Sequence, residues 1–155
     1  AVVGDLTTRP LHSFAYAMSY FHPKKFYAVS PAEQGYPPEV LEKIRALGLP
    51  YEEVDAVEKV IPELDVIYMI GTKHAPNMTL KQRERSEEVA AGCRVTPEKL
   101  QRAKTNLMVM HPLPRTEELP PEVDKLPQAW YFKEAWYGVP VRMALLTLVL
   151  KGEIE

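Results

Sequence analysis

One cysteine in 155 residues, Cys93, leaves no partner for an internal disulfide and fits a reducing compartment. No motif surrounds it, which favours a passive thiol over a reactive one. The histidines, His12, His22, His74 and His111, show no metal-ligand spacing, and with a single cysteine there is no zinc signature. Glycine is scarce, at seven residues, and no Gly-rich phosphate loop is present; the early candidate is the single Gly4. No Ser-His-Asp order stands out. These absences argue against a metal or nucleotide enzyme, and no cofactor is expected. A formal net charge of −2 shows none of the basic excess that marks a nucleic-acid partner. No signal peptide is visible, and the longest apolar stretch, Met143 to Leu150, is far too short to cross a bilayer. A cytoplasmic protein without a membrane partner is the expectation.

What remains is ordinary in amount and specific in order. Apolar residues make up 46% and charged residues 26%, enough to bury a real core in one domain of this length. The chain opens on Ala1-Val2-Val3-Gly4, already strand-like, and reads as a piece of something longer.

Apolar runs alternate with helix-period segments, the pattern of βαβ units and a parallel sheet. Strands are predicted at Ala1–Gly4, Phe26–Ser30, Tyr51–Val54, Val66–Ile70 and Leu107–Met110. A first helix starting at Pro10 places Leu11, Phe14, Ala15, Met18 and Phe21 on one face. A second runs from Pro38 to about Leu47 and stops at Gly48. A third is short, near Val57–Ile61. Thr96-Pro97-Glu98-Lys99 reads as a cap and acidic first turn, opening a helix to Lys104. A proline-rich, aromatic stretch then leads to a closing helix from about Val141. The charged run between Thr72 and Cys93 has the look of a solvated helix face.

The most informative residues are His111-Pro112-Leu113-Pro114-Arg115, directly after the apolar run Leu107-Met108-Val109-Met110. The run reads as a buried strand that the prolines stop abruptly. Proline has no N–H, so the nearby carbonyls need not serve a sheet ladder and can face a ligand. In an open α/β sheet, ligands bind in the crevice beyond the carboxyl ends of the strands. A plain Pro-stiffened turn is the bland alternative. Arg9 stands between a strand end and a helix start, where N–H groups and the dipole favour anions and a guanidinium offers a fork for a carboxylate. Its bland reading is a surface arginine.

Taken in order, Gly4-Asp5-Leu6, Arg9 with His12-Ser13, Asp65-Val66-Ile67-Tyr68-Met69, His111-Pro112-Leu113-Pro114-Arg115 and Gly138-Val139-Pro140-Val141-Arg142 resemble the aspartate-binding half of aspartate carbamoyltransferases. The resemblance implies an α/β three-layer sandwich with a central parallel sheet of about five strands, the Rossmann-like second domain of carbamoyltransferases, spanning residues 1–155. It implies L-aspartate and carbamoyl phosphate as substrates, a carbamoyl-phosphate domain elsewhere, homologous subunits of a catalytic trimer, and a place in pyrimidine biosynthesis. Carried over residue by residue, Arg9 grips aspartate, and the carbonyls of Pro112, Leu113 and Pro114 receive the amino group and carbamoyl nitrogen. His12, Ser13, His111 and Arg115 support them, and Leu113-Pro114 is cis, an isomer found in about one X-Pro bond in twenty. Pro112, where ornithine enzymes carry cysteine, favours the aspartate branch.

Two departures stand out. The family usually has one more residue between Gly-Asp-Leu and the arginine. After Tyr68-Met69 the family's Thr-Arg-x-Gln is absent; a displaced copy at Thr79-Leu80-Lys81-Gln82 supplies Gln82 but puts Leu80 in the arginine position. Lys73, Lys81, Arg83 or Arg85 then substitutes, or aspartate binding is weakened. The resemblance therefore predicts a half-enzyme that turns over nothing alone. A non-catalytic carbamoyltransferase-like scaffold or regulatory domain, and a carbamoyltransferase for another amino acceptor, are the alternatives.

Overall fold

A computed structural model describes residues 1–72 and 90–151. The elements are β1 (Val2–Val3), α1 (Arg9–Ser19), β2 (Phe26–Val29), α2 (Pro38–Ala46), β3 (Tyr51–Val54), β4 (Val66–Met69), α3 (Pro97–Leu100), β5 (Met108–Met110) and α4 (Tyr131–Lys151). The five strands form one sheet in the order β3-β2-β1-β4-β5, and every pairing is parallel. This is the predicted α/β architecture.

Strand character follows position in the sheet. Phe26, Tyr27, Ala28 and Val29 of β2 are all buried, as expected of an inner parallel strand covered on both faces. At one edge, β3 carries Glu52 and Glu53 exposed, which blunts an otherwise open edge. Alternate residues feed separate cores. Val2, Phe26 and Ala28 face Leu11 and Ala15 of α1 and Val40 and Ile44 of α2. Val3, Tyr27, Val29, Ile67, Met69 and Val109 face Val57, Ile61, Val95, Leu119 and Tyr131 on the other side. The sheet is thus the middle of three layers.

Several expected boundaries move. The first helix ends at Ser19, so Phe21 lies beyond it and is 75% exposed rather than on the apolar face. His22 precedes Pro23, which disfavours helical backbone there, and His22 adopts φ +47 instead. The segment near Val57 forms two short 3₁₀ turns, Val57–Lys59 and Ile61–Glu63. Thr96 Oγ1 caps α3 by accepting from Lys99 N at 3.4 Å, but the helix stops at Leu100, and Lys104 instead donates to the Glu63 carbonyl and Asp65, both at 2.7 Å. The last helix begins at Tyr131 rather than near Val141, so the aromatic stretch forms its first turns.

That helix, α4, is unlike the others. It is apolar nearly all round, yet Tyr131 is its buried residue, while Trp136, Met143, Leu146, Val149 and Leu150 are exposed. Helices of this composition are ordinarily buried. Among the described residues no helix is long and apolar enough to cross a membrane.

Candidate active site at the carboxyl ends of the strands

The chain runs outward from β1 to β2 and β3, then returns to the other side of β1 for β4 and β5. The loops after β1 and β4 therefore diverge, opening the crevice where α/β sheets bind ligands. Gly4 makes their close approach possible: at φ +118, an added Cβ would lie 1.9 Å from the Ile70 carbonyl oxygen. The glycine considered as a phosphate-loop candidate is required by packing instead.

Beyond Gly4, buried Asp5 organises the turn into α1. Its Oδ1 accepts from Thr7 N at 3.0 Å and from the Thr7 hydroxyl at 2.5 Å, while its carbonyl accepts from the Thr8 hydroxyl at 2.9 Å. Arg9 is the first residue of α1 and is exposed, at the helix end that favours anions. His12 Nε2 lies 3.0 Å from the Leu6 carbonyl; because a carbonyl only accepts, that nitrogen carries the proton. The ring also tilts against Tyr36, with centroids 6.0 Å apart. Ser13 is exposed one residue on.

Across the crevice, the loop after β5 is fixed from several directions. Leu113-Pro114 is cis, and Leu113 adopts φ +58, a left-handed conformation costing a residue with a Cβ about 1–2 kcal/mol. The Leu113 N–H donates to His111 Nδ1 at 2.8 Å. His111 Nε2 faces Glu118 Oε1 at 3.1 Å, and His111 N donates to Glu134 Oε2 at 2.8 Å. Arg115 forks onto both oxygens of Asp124 and reaches the Tyr131 hydroxyl at 3.0 Å. Tyr131 in turn donates to Asp124. Among the described residues, none donates to the carbonyls of Pro112, Leu113 or Pro114. Among the described residues, the His111 and Leu113 N–H groups are thus occupied while these carbonyls accept nothing.

Electrostatics agree with this division. Burial would raise the Glu118 carboxyl, but His111 and Thr116 donate to it and hold it down at about 2. The Arg115 side-chain hydrogen bond holds Asp124 at about 2 as well. Burial raises Glu134, and burial together with the nearby Glu134 carboxylate pushes Tyr68 up to about 12. Burial likewise pushes the Cys93 thiol up to about 11, keeping it protonated and passive.

The described residues bring Arg9, His12 and Ser13 onto one loop and helix start, and His111 to Arg115 onto another, at the same end of the sheet. Gln82, with Lys73, Lys81, Arg83 and Arg85, lies outside the described residues. Glu118, Thr116, Asp124, Tyr131 and Glu134 were not singled out from the sequence. The available signal was thin: two adjacent glutamates, Glu117 and Glu118, before Leu119, and acids spaced irregularly after them. Among the described residues no group of three His, Cys, Asp or Glu side chains could hold a metal. A cleft of about 780 Å³ lies under α1 at the opposite, amino ends of β1, β2 and β4. Two of its lysines are already paired, Lys25 with Glu63 at 2.9 Å and Lys104 with Asp65 at 2.7 Å.

Residues 1–149 match the model of the Asp/Orn binding domain of aspartate/ornithine carbamoyltransferase. The aspartate carbamoyltransferase catalytic subunit of Methanococcoides burtonii is 40% identical over 162 residues, spanning 100% of this chain and 49% of that protein. Its counterpart in Hyperthermus butylicus is 43% identical over 157 residues, spanning 99% and 48%. Among solved structures, the M. jannaschii aspartate transcarbamoylase catalytic subunit superimposes with TM-score 0.85 at 33% identity, over 98% of this chain and 48% of that one. Trypanosoma cruzi aspartate transcarbamoylase, in complex with carbamoyl phosphate and aspartate, gives TM-score 0.80 at 30% identity, over 94% and 46%. The chain spans about half the length of each of these relatives. With the sheet order, the switch-point loops and these likenesses together, the chain belongs to the aspartate/ornithine carbamoyltransferase family, as its Asp/Orn-binding domain.

Proposed function

We propose that this chain is the aspartate-binding half of an aspartate carbamoyltransferase of pyrimidine biosynthesis. The reading rests above all on the loop after β5, whose N–H groups are tied inward while the carbonyls of Pro112, Leu113 and Pro114 receive no hydrogen bond from a described residue. A row of carbonyls suits an amino group, whose N–H groups need acceptors. Arg9, at the start of α1, supplies a fork for a carboxylate, and Gln82 is the second contact the resemblance assigns.

In the reaction, the neutral α-amino nitrogen of aspartate bonds to the carbamoyl carbon, the bond from that carbon to the phosphate oxygen breaks, and the proton lost by the nitrogen is taken up by the released phosphate. This half contributes orientation, which can supply a large part of such a barrier. The exposed apolar surface of α4 supports a carbamoyl-phosphate domain as its neighbour, with homologous subunits completing a trimer. An acceptor other than aspartate is favoured by one feature, Leu80 in the position of the family's arginine.

Titration of the chain with L-aspartate, followed by amide shifts, tests the reading. Saturable shifts at Arg9 and Leu113, larger than those given by L-ornithine, are expected, with no carbamoyl-aspartate formed by the chain alone. Equal response to both amino acids, or none, would overturn aspartate recognition. Substantial turnover by the chain alone would overturn the half-enzyme assignment.

A further inference from the structure

Behind the carbonyl row stands a residue with no assigned part. Glu118 is 7% exposed, and both carboxylate oxygens are occupied. Oε1 accepts from Thr116 N at 2.8 Å and faces His111 Nε2 at 3.1 Å, while Oε2 takes the Thr116 hydroxyl. Its own carbonyl accepts from Val95 N at 2.9 Å, and Gly71, two residues beyond the end of β4, passes close to the carboxylate. Held ionised, this carboxylate can only accept.

An acceptor at Nε2 places the imidazole proton on Nε2 and leaves Nδ1 bare. The bare Nδ1 is what the Leu113 N–H donates to. In a planar trans peptide the N–H and the preceding C=O point in opposite directions. Among the described residues the cis bond is Leu113-Pro114, so Pro112-Leu113 is trans, and drawing the Leu113 N–H toward the ring turns the Pro112 carbonyl away from it.

We propose that Glu118 is a positioning residue: through the His111 tautomer and the Leu113 N–H, its carboxylate aims the Pro112 carbonyl at the substrate amino group. The inference rests on the aspartate reading for the identity of that amino group. The relay from Glu118 to Leu113 is separate. What it requires of Glu118 is an acceptor beside Nε2, not a negative charge. A glutamine can present its carbonyl to His111 and Thr116 N while its amide donates to the Thr116 hydroxyl oxygen, so Glu118→Gln preserves the tautomer. Glu118→Ala offers Nε2 nothing.

The test combines His111 ring-nitrogen shifts in ¹⁵N-labelled chain with aspartate titration. The parent is expected to show a protonated Nε2 and a bare Nδ1, and Glu118→Gln to do the same. Glu118→Ala should average the two tautomers, move the Leu113 amide, and raise the aspartate Kd about tenfold, against about threefold or less for Glu118→Gln. Core amides such as Val2 and Val109 report whether each variant keeps its fold. Three results would each overturn the proposal: a parent with the proton on Nδ1, Glu118→Ala with parental ring nitrogens and Leu113 amide, or Glu118→Gln as impaired toward aspartate as Glu118→Ala. The first needs no variant to fold. A parent with the expected nitrogens but no response to aspartate overturns the functional reading alone.

Discussion

The loop after β5 and the helix that follows it present opposite solutions to the same problem. In the loop, polar groups find partners inside the chain: Glu118 and Glu134 hold His111, and Asp124 holds Arg115. In α4, apolar side chains find almost none, with Leu146 60% exposed and Val149 80% exposed. Yet the two are joined, since Tyr131 and Glu134 at the start of α4 are what Arg115 and His111 touch. The loop after β5 is thus internally satisfied, while its anchor points lie on an element with uncovered apolar surface. Polar satisfaction is local and short-ranged, so a single domain can complete it; burial of a wide apolar surface needs another body.

The sharpest break in this comparison is a single methyl group at the crevice. Gly4→Ala places a Cβ 1.9 Å from the Ile70 oxygen at φ +118, so backbone must move on both strands. We expect a loss of about 3 kcal/mol or more in denaturant unfolding. Second in size is the acid dependence carried by Glu118. Its folded carboxyl sits at about 2 against an ordinary 4.5, so its stabilisation is fully present above pH 4.5 and disappears as pH falls through about 2. The full difference is about 3 kcal/mol, and Glu118→Gln should flatten the acid limb of stability against pH. An unchanged acid limb would show that the buried carboxylate is not what the loop stands on.

How much of this was legible in advance varies with the range of the interaction. Strands such as Phe26–Val29 and Val66–Met69 were readable because burial on both faces or alternate faces leaves a contiguous apolar signature. The place of the loop after β5 was readable because two prolines end a strand, at the end of the sheet where open α/β folds ordinarily bind ligands. Glu118 was not, because what makes it special is His111 seven residues away in a folded turn, and sequence alone shows merely two glutamates before a leucine. The start of α4 was misplaced for a related reason. Trp130, Tyr131 and Phe132 carry strand-like propensity, and only the packing of Tyr131 beneath Arg115 and Asp124 fixes them as a helix entrance. Phe21 failed in the simplest way: apolar periodicity continued past the point where Pro23 forbids helix.

Cutting the tie between loop and helix gives a smaller effect. Asp124→Asn leaves Arg115 one neutral acceptor in place of a two-pronged carboxylate, in a pair that is partly exposed. A cost of about 1–2 kcal/mol is expected in unfolding, with Leu113 and His111 amides shifting in the folded state. If stability falls but those amides stay fixed, Arg115 braces the helix rather than the loop.

The smallest expected effect tests the other side of the comparison. Leu146, Val149 and Leu150 are 60%, 80% and 79% exposed, so little of their surface leaves water when this chain folds. Replacing all three by alanine should change stability by less than about 1 kcal/mol, because hydrophobic stabilisation follows area removed from water and alanine favours helix. The same chemistry at one buried position, Leu119→Ala, should cost about 2–5 kcal/mol. Mixed with a carbamoyl-phosphate domain, the order should reverse: the triple variant, though as stable as the parent alone, should associate more weakly by tenfold or more, about 1.4 kcal/mol. A triple variant that loses 2 kcal/mol by itself would mean that α4 packs on its own domain in solution. The helix would then be a finished part of this fold, and its apolar surface would no longer argue for a second body.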